Sequence, residues 1–288
     1  MEILKGKPVA DAISKQTAEG VCELKKRGIV PALAIVRVGD NKDDIAYENG
    51  AVKRCSGVGI EVRKVTFEKN VSEEDFIKKL DELSNDDTVH GILMLQPLPE
   101  GIDTEKARRH INPQKDIDGT TGDSLVGVFT GTDVGFAPCT PQAAMEILKF
   151  YNIEISGKRA VVIGRSLVVG RPVACMLMQE NATVTVCHTR TKDVPALTRE
   201  ADIIIAASGR MESIGEEYFS KDKEQTVIDV GIAWNDKKQK LCGDVDFESA
   251  EGRVSRLTPV PGGVGTVTNS ILSSHVVQAA ERMVMRKR

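Results

Sequence analysis

The chain has 288 residues, of which 41% are hydrophobic and 28% charged, and its net charge is −3. That length fits one large or two ordinary domains at ~100–200 residues each, and the composition is that of a soluble globular protein. A slightly acidic chain gives no basis for nucleic acid or an anionic membrane as partner, and no apolar run approaches the ~18 residues of a membrane helix.

The opening MEILKGKPVADAI has no signal-peptide layout, so a cytoplasmic location is expected. Residues 8–27 place Ala10, Ile13, Thr17, Val21 and Leu24 at helical spacing, with Gly28 as the stop. An apolar, β-branched strand over 32–38 ends in the turn Gly39-Asp40-Asn41. Asp43 or Asp44 is expected to cap a helix running to about Gly57. A strand follows at 62–67, then Ser72-x-x-Asp75 as a capping box before Phe76, Leu80 and Leu83. Residues 91–95 read as a buried strand punctuated by Pro97 and Pro99. This alternation predicts a parallel sheet with helices on both faces.

Between about 111 and 140 the periodicity fades, and Lys115-Asp116-Ile117-Asp118-Gly119 leads into a loop. Thr140 is expected to be an N-cap with Pro141 at the first helical position, opening a second domain. Residues 159–191 then run strand, glycine turn, helix and strand, the size of one βαβ unit. Gly164-Arg165-Ser166 and Gly170 let backbone N–H groups approach a pyrophosphate at the positive end of a helix. The spacing G-x5-G departs from the usual G-x-G-x-x-G fingerprint, so an ordinary βα turn stays open beside a nucleotide site. After the second strand stand Thr189 and Arg190, with Arg165 facing them from the first turn and no carboxylate nearby. A cation there suits a 2′-phosphate and an acid would suit a free ribose, so NADP is expected over NAD, which remains possible.

Further strands are expected at 201–206 and 226–230. A glycine-rich loop, Pro259 to Gly265, precedes a last helix over 268–285. The cysteines, Cys22, Cys55, Cys139, Cys175, Cys187 and Cys242, show no C-x-x-C pair or zinc spacing. Reduced thiols and no metal site are expected.

GDNKDDIAY, PLP, KDIDG, PCTP, GRSLVVGRP, ATVTVCH, IDVGI, GDVDF and TPVPGGVGTVT occur in one order along the chain. In that combination the sequence resembles the methylenetetrahydrofolate dehydrogenase/cyclohydrolase family over essentially its whole length. The resemblance implies two α/β domains with a cleft between them: an N-terminal folate-binding domain and a C-terminal Rossmann-like NADP-binding domain. The expected boundaries are 1–140 plus 269–288 for the first and 141–268 for the second, in a homodimer acting on tetrahydrofolate derivatives. It implies hydride transfer from 5,10-methylenetetrahydrofolate, and in most members hydrolysis of the methenyl product to 10-formyltetrahydrofolate. By match to the family, Tyr47 stacks on the folate ring and Asp118 anchors the pterin, a role that suits a carboxylate facing paired N–H donors. Pro261, Gly262 and Gly263 match a loop over the substrate. Gly164, Arg165 and Ser166 match the cofactor turn, Thr189 stands where relatives carry serine, and Ile232 matches a neighbour of the nicotinamide.

Two positions depart from the family. A lysine four residues after the tyrosine is Ala51 here, and a glutamine after the strand is Leu95, with Gln96 one place later. In a strand that shift sends a side chain to the opposite face. Lys53 lies on the wrong helix face, and Arg54 lies closer to the right one but stays protonated. The resemblance ties this lysine–glutamine pair to the cyclohydrolase step, so that step is expected to be absent or very weak. A bifunctional enzyme and a non-catalytic folate- or nucleotide-binding relative are the alternatives.

Overall fold

Short β-branched runs alternate with amphipathic helices, and the computed structural model, which describes residues 1–286, forms them in that rhythm. In chain order come β1 (Glu2–Ile3), α1 (Gly6–Lys26), β2 (Ala32–Val38), α2 (Lys42–Gly57), β3 (Glu61–Phe67), α3 (Glu73–Asn85), β4 (Gly91–Met94), α4 (Thr104–Arg109), α5 (Gly122–Thr130) and α6 (Cys139–Phe150). Then follow β5 (Arg159–Ile163), α7 (Gly170–Gln179), β6 (Thr183–Cys187), α8 (Val194–Arg199), β7 (Ile203–Ala206), β8 (Thr226–Asp229), β9 (Ala233–Asn235), β10 (Lys240–Cys242), α9 (Phe247–Ala250), β11 (Arg256–Leu257) and α10 (Val264–Arg286). The chain divides into two compact units, Asp11–Cys139 with Asn269–Arg288, and Met1–Ala10 with Thr140–Thr268. Residues 287 and 288, the end of the segment expected to rejoin the first domain, lie outside the described residues.

The first unit carries a three-stranded parallel sheet in the order β3-β2-β4, with Leu33 opposite both Val62 and Gly91. The central strand β2 is apolar in a continuous run and buried from Ala32 to Val36, as a strand covered on both faces must be. Ala34, Val36, Phe76, Leu80, Ile92 and Ala107 pack into one core beside it. Ser72 caps α3 as expected: its Oγ accepts from the Asp75 N–H at 3.1 Å and donates to the Asp75 carboxylate at 2.7 Å.

Local expectations shift at three places. The cap of α2 is Asn41, whose Oδ1 accepts from the Asp43 N–H at 2.8 Å. Asp43 and Asp44 instead lie in the first turn, where their charge meets the positive helix end. The loop expected after KDIDG contains α5, capped by Thr121 and stopped by left-handed Gly131. α6 begins at Cys139, so Thr140 is inside the helix, and Pro141 lies in the first turn, where a missing N–H costs nothing.

The second unit is built on a six-stranded, wholly parallel sheet in the order β1-β11-β8-β7-β5-β6. Residues 1–10, read from sequence with the N-terminal segment, belong here because Glu2 and Ile3 pair with Arg256 and Leu257. From β5 the chain first steps outward to β6, then returns to add β7 and β8 on the other side. That reversal opens a crevice at the carboxyl ends of β5 and β7, the place where ligands bind in open parallel sheets.

Candidate functional site

The sequence predicts a glycine turn after β5, and the structure places that turn at the point where the strand order reverses. A cavity of about 510 Å³ opens there, walled by the loops that follow β5, β6 and β7. Gly164 has φ +131°, and a side chain there would put a Cβ 2.1 Å from the Ala207 carbonyl oxygen. A Cβ on Gly170 would meet the Gly164 carbonyl oxygen at 2.2 Å, so the turn needs both glycines. Ser166 braces the turn: its Oγ accepts from the Val169 N–H at 3.1 Å.

Arg165, Ser166, His188, Thr189, Thr191, Ser208, Arg210 and Ser213 give the cavity its polar lining, and no carboxylate is among the lining residues. Neither Arg165 nor Arg210 takes part in an ion pair among the described residues. Two unneutralised guanidiniums and a set of hydroxyls suit a phosphorylated ligand. Arg190 is not among the lining residues, and its backbone N–H donates to His188 Nδ1 at 3.1 Å. Ile232, 61% exposed, also lies outside the lining. Pro261 and Gly262 are exposed and Gly263 is buried. Gly263 sits where a Cβ would come 2.5 Å from the Pro259 carbonyl oxygen. Arg210, Ser208 and Ser213 carry no motif and were not expected from the sequence.

In the other unit the five residues of KDIDG divide the work. Lys115 is buried and donates to the Leu83 and Asp86 carbonyls at 3.1 and 2.7 Å, tying the loop to the end of α3. The Asp116 carboxylate, 1% exposed, accepts from Thr120 N, Thr121 N and Ser124 Oγ at 3.0, 2.7 and 2.6 Å. Ile117 is fully buried, and Gly119 turns with φ +63° against the Phe136 and Pro138 backbone. Of the five, only Asp118 is left half-buried. Burial pushes its carboxyl up to about 7, against bonds from Cys139 that pull it down.

Tyr47 is half-buried on α2, and its phenol is raised well above 10 by desolvation, with Asp118, Cys139 and Cys55 adding to the effect. Glu48, buried between Arg37 of β2 (2.8 Å) and Lys64 of β3 (2.7 Å), fixes the rotation of α2 that presents Tyr47. Two supporting residues were not legible in the sequence. The buried Cys139 thiol donates to the Ile117 carbonyl at 3.3 Å, and burial followed by the Asp118 charge keeps it protonated. His275 of α10, 1% exposed, is lowered to about 4 by burial and donates from Nδ1 to the same carbonyl at 2.7 Å.

Tyr47, Ala51 and Cys55 follow one another at one-turn intervals on α2. Ala51 is fully buried, and burial lifts the Cys55 thiol to about 12, so neither moves a proton near neutral pH. Leu95 is 6% exposed, and the Gln96 amide oxygen accepts from Arg108 at 2.6 Å. Arg54 donates to Ser14 Oγ at 3.1 Å. Among the described residues no group of three or more His, Cys, Asp and Glu is placed to hold a metal ion. Among the described residues no helix is long and apolar enough to cross a membrane.

Comparison with known proteins places this geometry. Residues 4–118 match the catalytic domain of the tetrahydrofolate dehydrogenase/cyclohydrolase family, and residues 138–284 match that family's NAD(P)-binding domain. The bifunctional protein FolD of Carboxydothermus hydrogenoformans is 50% identical over 281 residues, which cover 97% of this chain and 97% of that protein. The crystal structure of the bifunctional FolD methylenetetrahydrofolate dehydrogenase/cyclohydrolase from Campylobacter jejuni superposes with a TM-score of 0.94 at 38% identity, covering 98% and 99% of the two chains. The Trypanosoma brucei N5,N10-methylenetetrahydrofolate dehydrogenase-cyclohydrolase, complexed with NADP cofactor and inhibitor, gives 0.90 at 34% identity over 98% of each chain.

Proposed function

We propose, from the premise that this chain belongs to the tetrahydrofolate dehydrogenase/cyclohydrolase family, that it oxidises 5,10-methylenetetrahydrofolate to 5,10-methenyltetrahydrofolate with NADP. The observation that carries the reading is the cavity after β5, β6 and β7, with two arginines that make no ion pair among the described residues, several hydroxyls and no carboxylate. NADP, when bound, supplies the nicotinamide that accepts the hydride. Gly164 and Ser166 hold the turn open for its pyrophosphate, and Arg165, with Thr189, recognises the 2′-phosphate. The Trypanosoma relative carries NADP, which supports the same choice. Arg165→Ala is expected to weaken NADP by roughly tenfold and NAD by less than about twofold, a loss of one charge-assisted contact. Titration of the two reduced nucleotides checks this; equal losses would move Arg165 to the pyrophosphate.

Tyr47 stacks on the folate ring and Asp118 accepts from the pterin N–H pair, while Pro261, Gly262 and Gly263 form the loop over the substrate. Hydride loss from the methylene carbon needs alignment more than proton transfer, because the flanking nitrogen lone pairs stabilise the cation that forms. The basic test is NADPH formation from methylenetetrahydrofolate and NADP. A protein that makes none is not this enzyme.

The methenyl product stays largely unhydrolysed in our reading. Adding water and opening the ring require a positioned acid or base, which typically contributes about 10²–10⁴-fold. Ala51, Leu95 and the Cys55 thiol offer no such group, and Gln96 and Arg54 are engaged with Arg108 and Ser14. A second reading, a bifunctional enzyme that releases 10-formyltetrahydrofolate, is favoured by the names of relatives: those from Carboxydothermus hydrogenoformans and Campylobacter jejuni are called bifunctional. It would need a proton-transfer group other than the family lysine.

A further inference from the structure

The cofactor cavity contains a second cation that no motif announces, and a chain of hydrogen bonds leads to it from two buried carboxylates. Arg210 lines the cavity from the loop after β7, without an ion-pair partner among the described residues. Its backbone is held on both sides by hydroxyls: its N–H donates to Ser208 Oγ at 3.1 Å, and its carbonyl accepts from Ser213 Oγ at 2.8 Å.

Ser208 is fixed in turn by Asp244, which is 2% exposed. One carboxylate oxygen, Oδ2, accepts from Ser208 N at 2.5 Å, Gly209 N at 2.9 Å and Ser208 Oγ at 3.0 Å. Asp244 is seated by Asp229 at the end of β8, whose carboxylate accepts from the N–H groups of Gly231, Asp244 and Val245 at 2.9, 3.1 and 3.0 Å. The packing leaves no slack. A Cβ on Gly243 would lie 1.9 Å from Asp229 Oδ2, and one on Gly231 would lie 2.3 Å from Asp244 Oδ1. Burying two carboxylates is costly unless they are hydrogen-bonded, and here both Asp229 oxygens and Asp244 Oδ2 accept from the loops they position.

We propose that Arg210 is a further phosphate-binding residue of the cofactor cavity and that Asp244 is the positioning residue that holds it there. The inference rests on the reading of that cavity as the NADP site. Two phosphate groups could take the guanidinium, the pyrophosphate common to both dinucleotides or the 2′-phosphate of NADP alone, and the chemistry of recognition is the same.

The test titrates NADPH and NADH against the full-length wild type, Arg210→Ala, Asp244→Asn and the double variant, and follows kcat at saturating NADP. Arg210→Ala is expected to raise the NADPH dissociation constant on the order of tenfold, and Asp244→Asn by a smaller factor in the same direction. Both should leave kcat at saturating cofactor, and KM for methylenetetrahydrofolate, within about twofold. The double variant should bind no more weakly than Arg210→Ala, because Asp244 acts through Arg210. Equal weakening of NADPH and NADH assigns Arg210 to the pyrophosphate, and weakening of NADPH alone assigns it to the 2′-phosphate. Unchanged affinity for both in Arg210→Ala overturns the proposal, as does an Asp244→Asn loss that adds fully to it. Should the Asp244→Asn variant fail to fold, Asp244→Ser, which is smaller and keeps one acceptor, must show the same non-additive loss. A wild type that binds neither nucleotide would defeat the NADP reading itself, a result distinct from a normal wild type with a silent Arg210.

Discussion

Asp118→Ala is expected to lower kcat/KM for methylenetetrahydrofolate by about 10²–10⁴-fold while NADP affinity stays within about twofold. Two charge-assisted hydrogen bonds to the pterin edge are lost, each contributing roughly 1.5–3 kcal/mol. The cofactor residues stand on a different set of loops, those after β5, β6 and β7, and should not register the change. Steady-state kinetics with a separate nucleotide titration checks both halves. Loss of neither folate turnover nor folate binding would remove Asp118 from the site.

The same carboxyl sets a pH dependence. Burial holds Asp118 at about 7 rather than at its ordinary 3.8. In the proposed role the ionised form binds the pterin, so binding would remove the proton and affinity should rise with pH until the free enzyme is already ionised. Between about pH 8 and about pH 6 the folate affinity should fall by roughly tenfold. Asp118→Asn should flatten that slope. An affinity that rises toward acid pH would contradict the assignment.

Gly164→Ala is expected to have the largest effect on the cofactor half. It forces a Cβ to within 2.1 Å of the Ala207 carbonyl oxygen and puts a side chain at φ +131°. The backbone must move, which costs on the order of 2–4 kcal/mol of stability and opens the turn that the pyrophosphate needs. NADPH affinity should fall by about 10²-fold or more. Gly209→Ala is the matched control: its φ is +67°, but nothing lies within 4 Å of an added Cβ. It should cost only about 1 kcal/mol. Thermal melts and nucleotide titrations of the pair separate close approach from simple backbone preference; equal effects would show that the approach to Ala207 is unimportant.

How much of this could be read from the chain depends on whether its signal was local. The strand–turn–helix–strand run around Gly164 is local, since a switch from two-residue to helical periodicity and two glycines announce it within thirty residues or so. The Ser72 cap is local too. Helix α5 was invisible because its polarity is reversed: Ser124 and Gly127 are buried while Val126 and Phe129 are 55% and 76% exposed. Asp118 could be singled out only by resemblance, because nothing in its spacing distinguishes it from Asp116, whose oxygens serve the loop itself. Cys139 and His275 converge on the Ile117 carbonyl from 22 and 158 residues away in sequence, and no pattern along the chain records such a meeting. Arg210 escaped for the same reason. The cavity it lines comes from three loops that only the strand order β7-β5-β6 brings together.

Ala51 and Leu95 are the residues on which the functional reading turns. The direct measurement is to incubate the protein with methylenetetrahydrofolate and NADP and to follow the methenyl product and NADPH together. The account predicts that methenyl accumulates in step with NADPH and then decays no faster than in buffer. NADPH that rises while methenyl stays low would mean that the ring is being opened by this protein, and that a proton-transfer group other than the family lysine does the work.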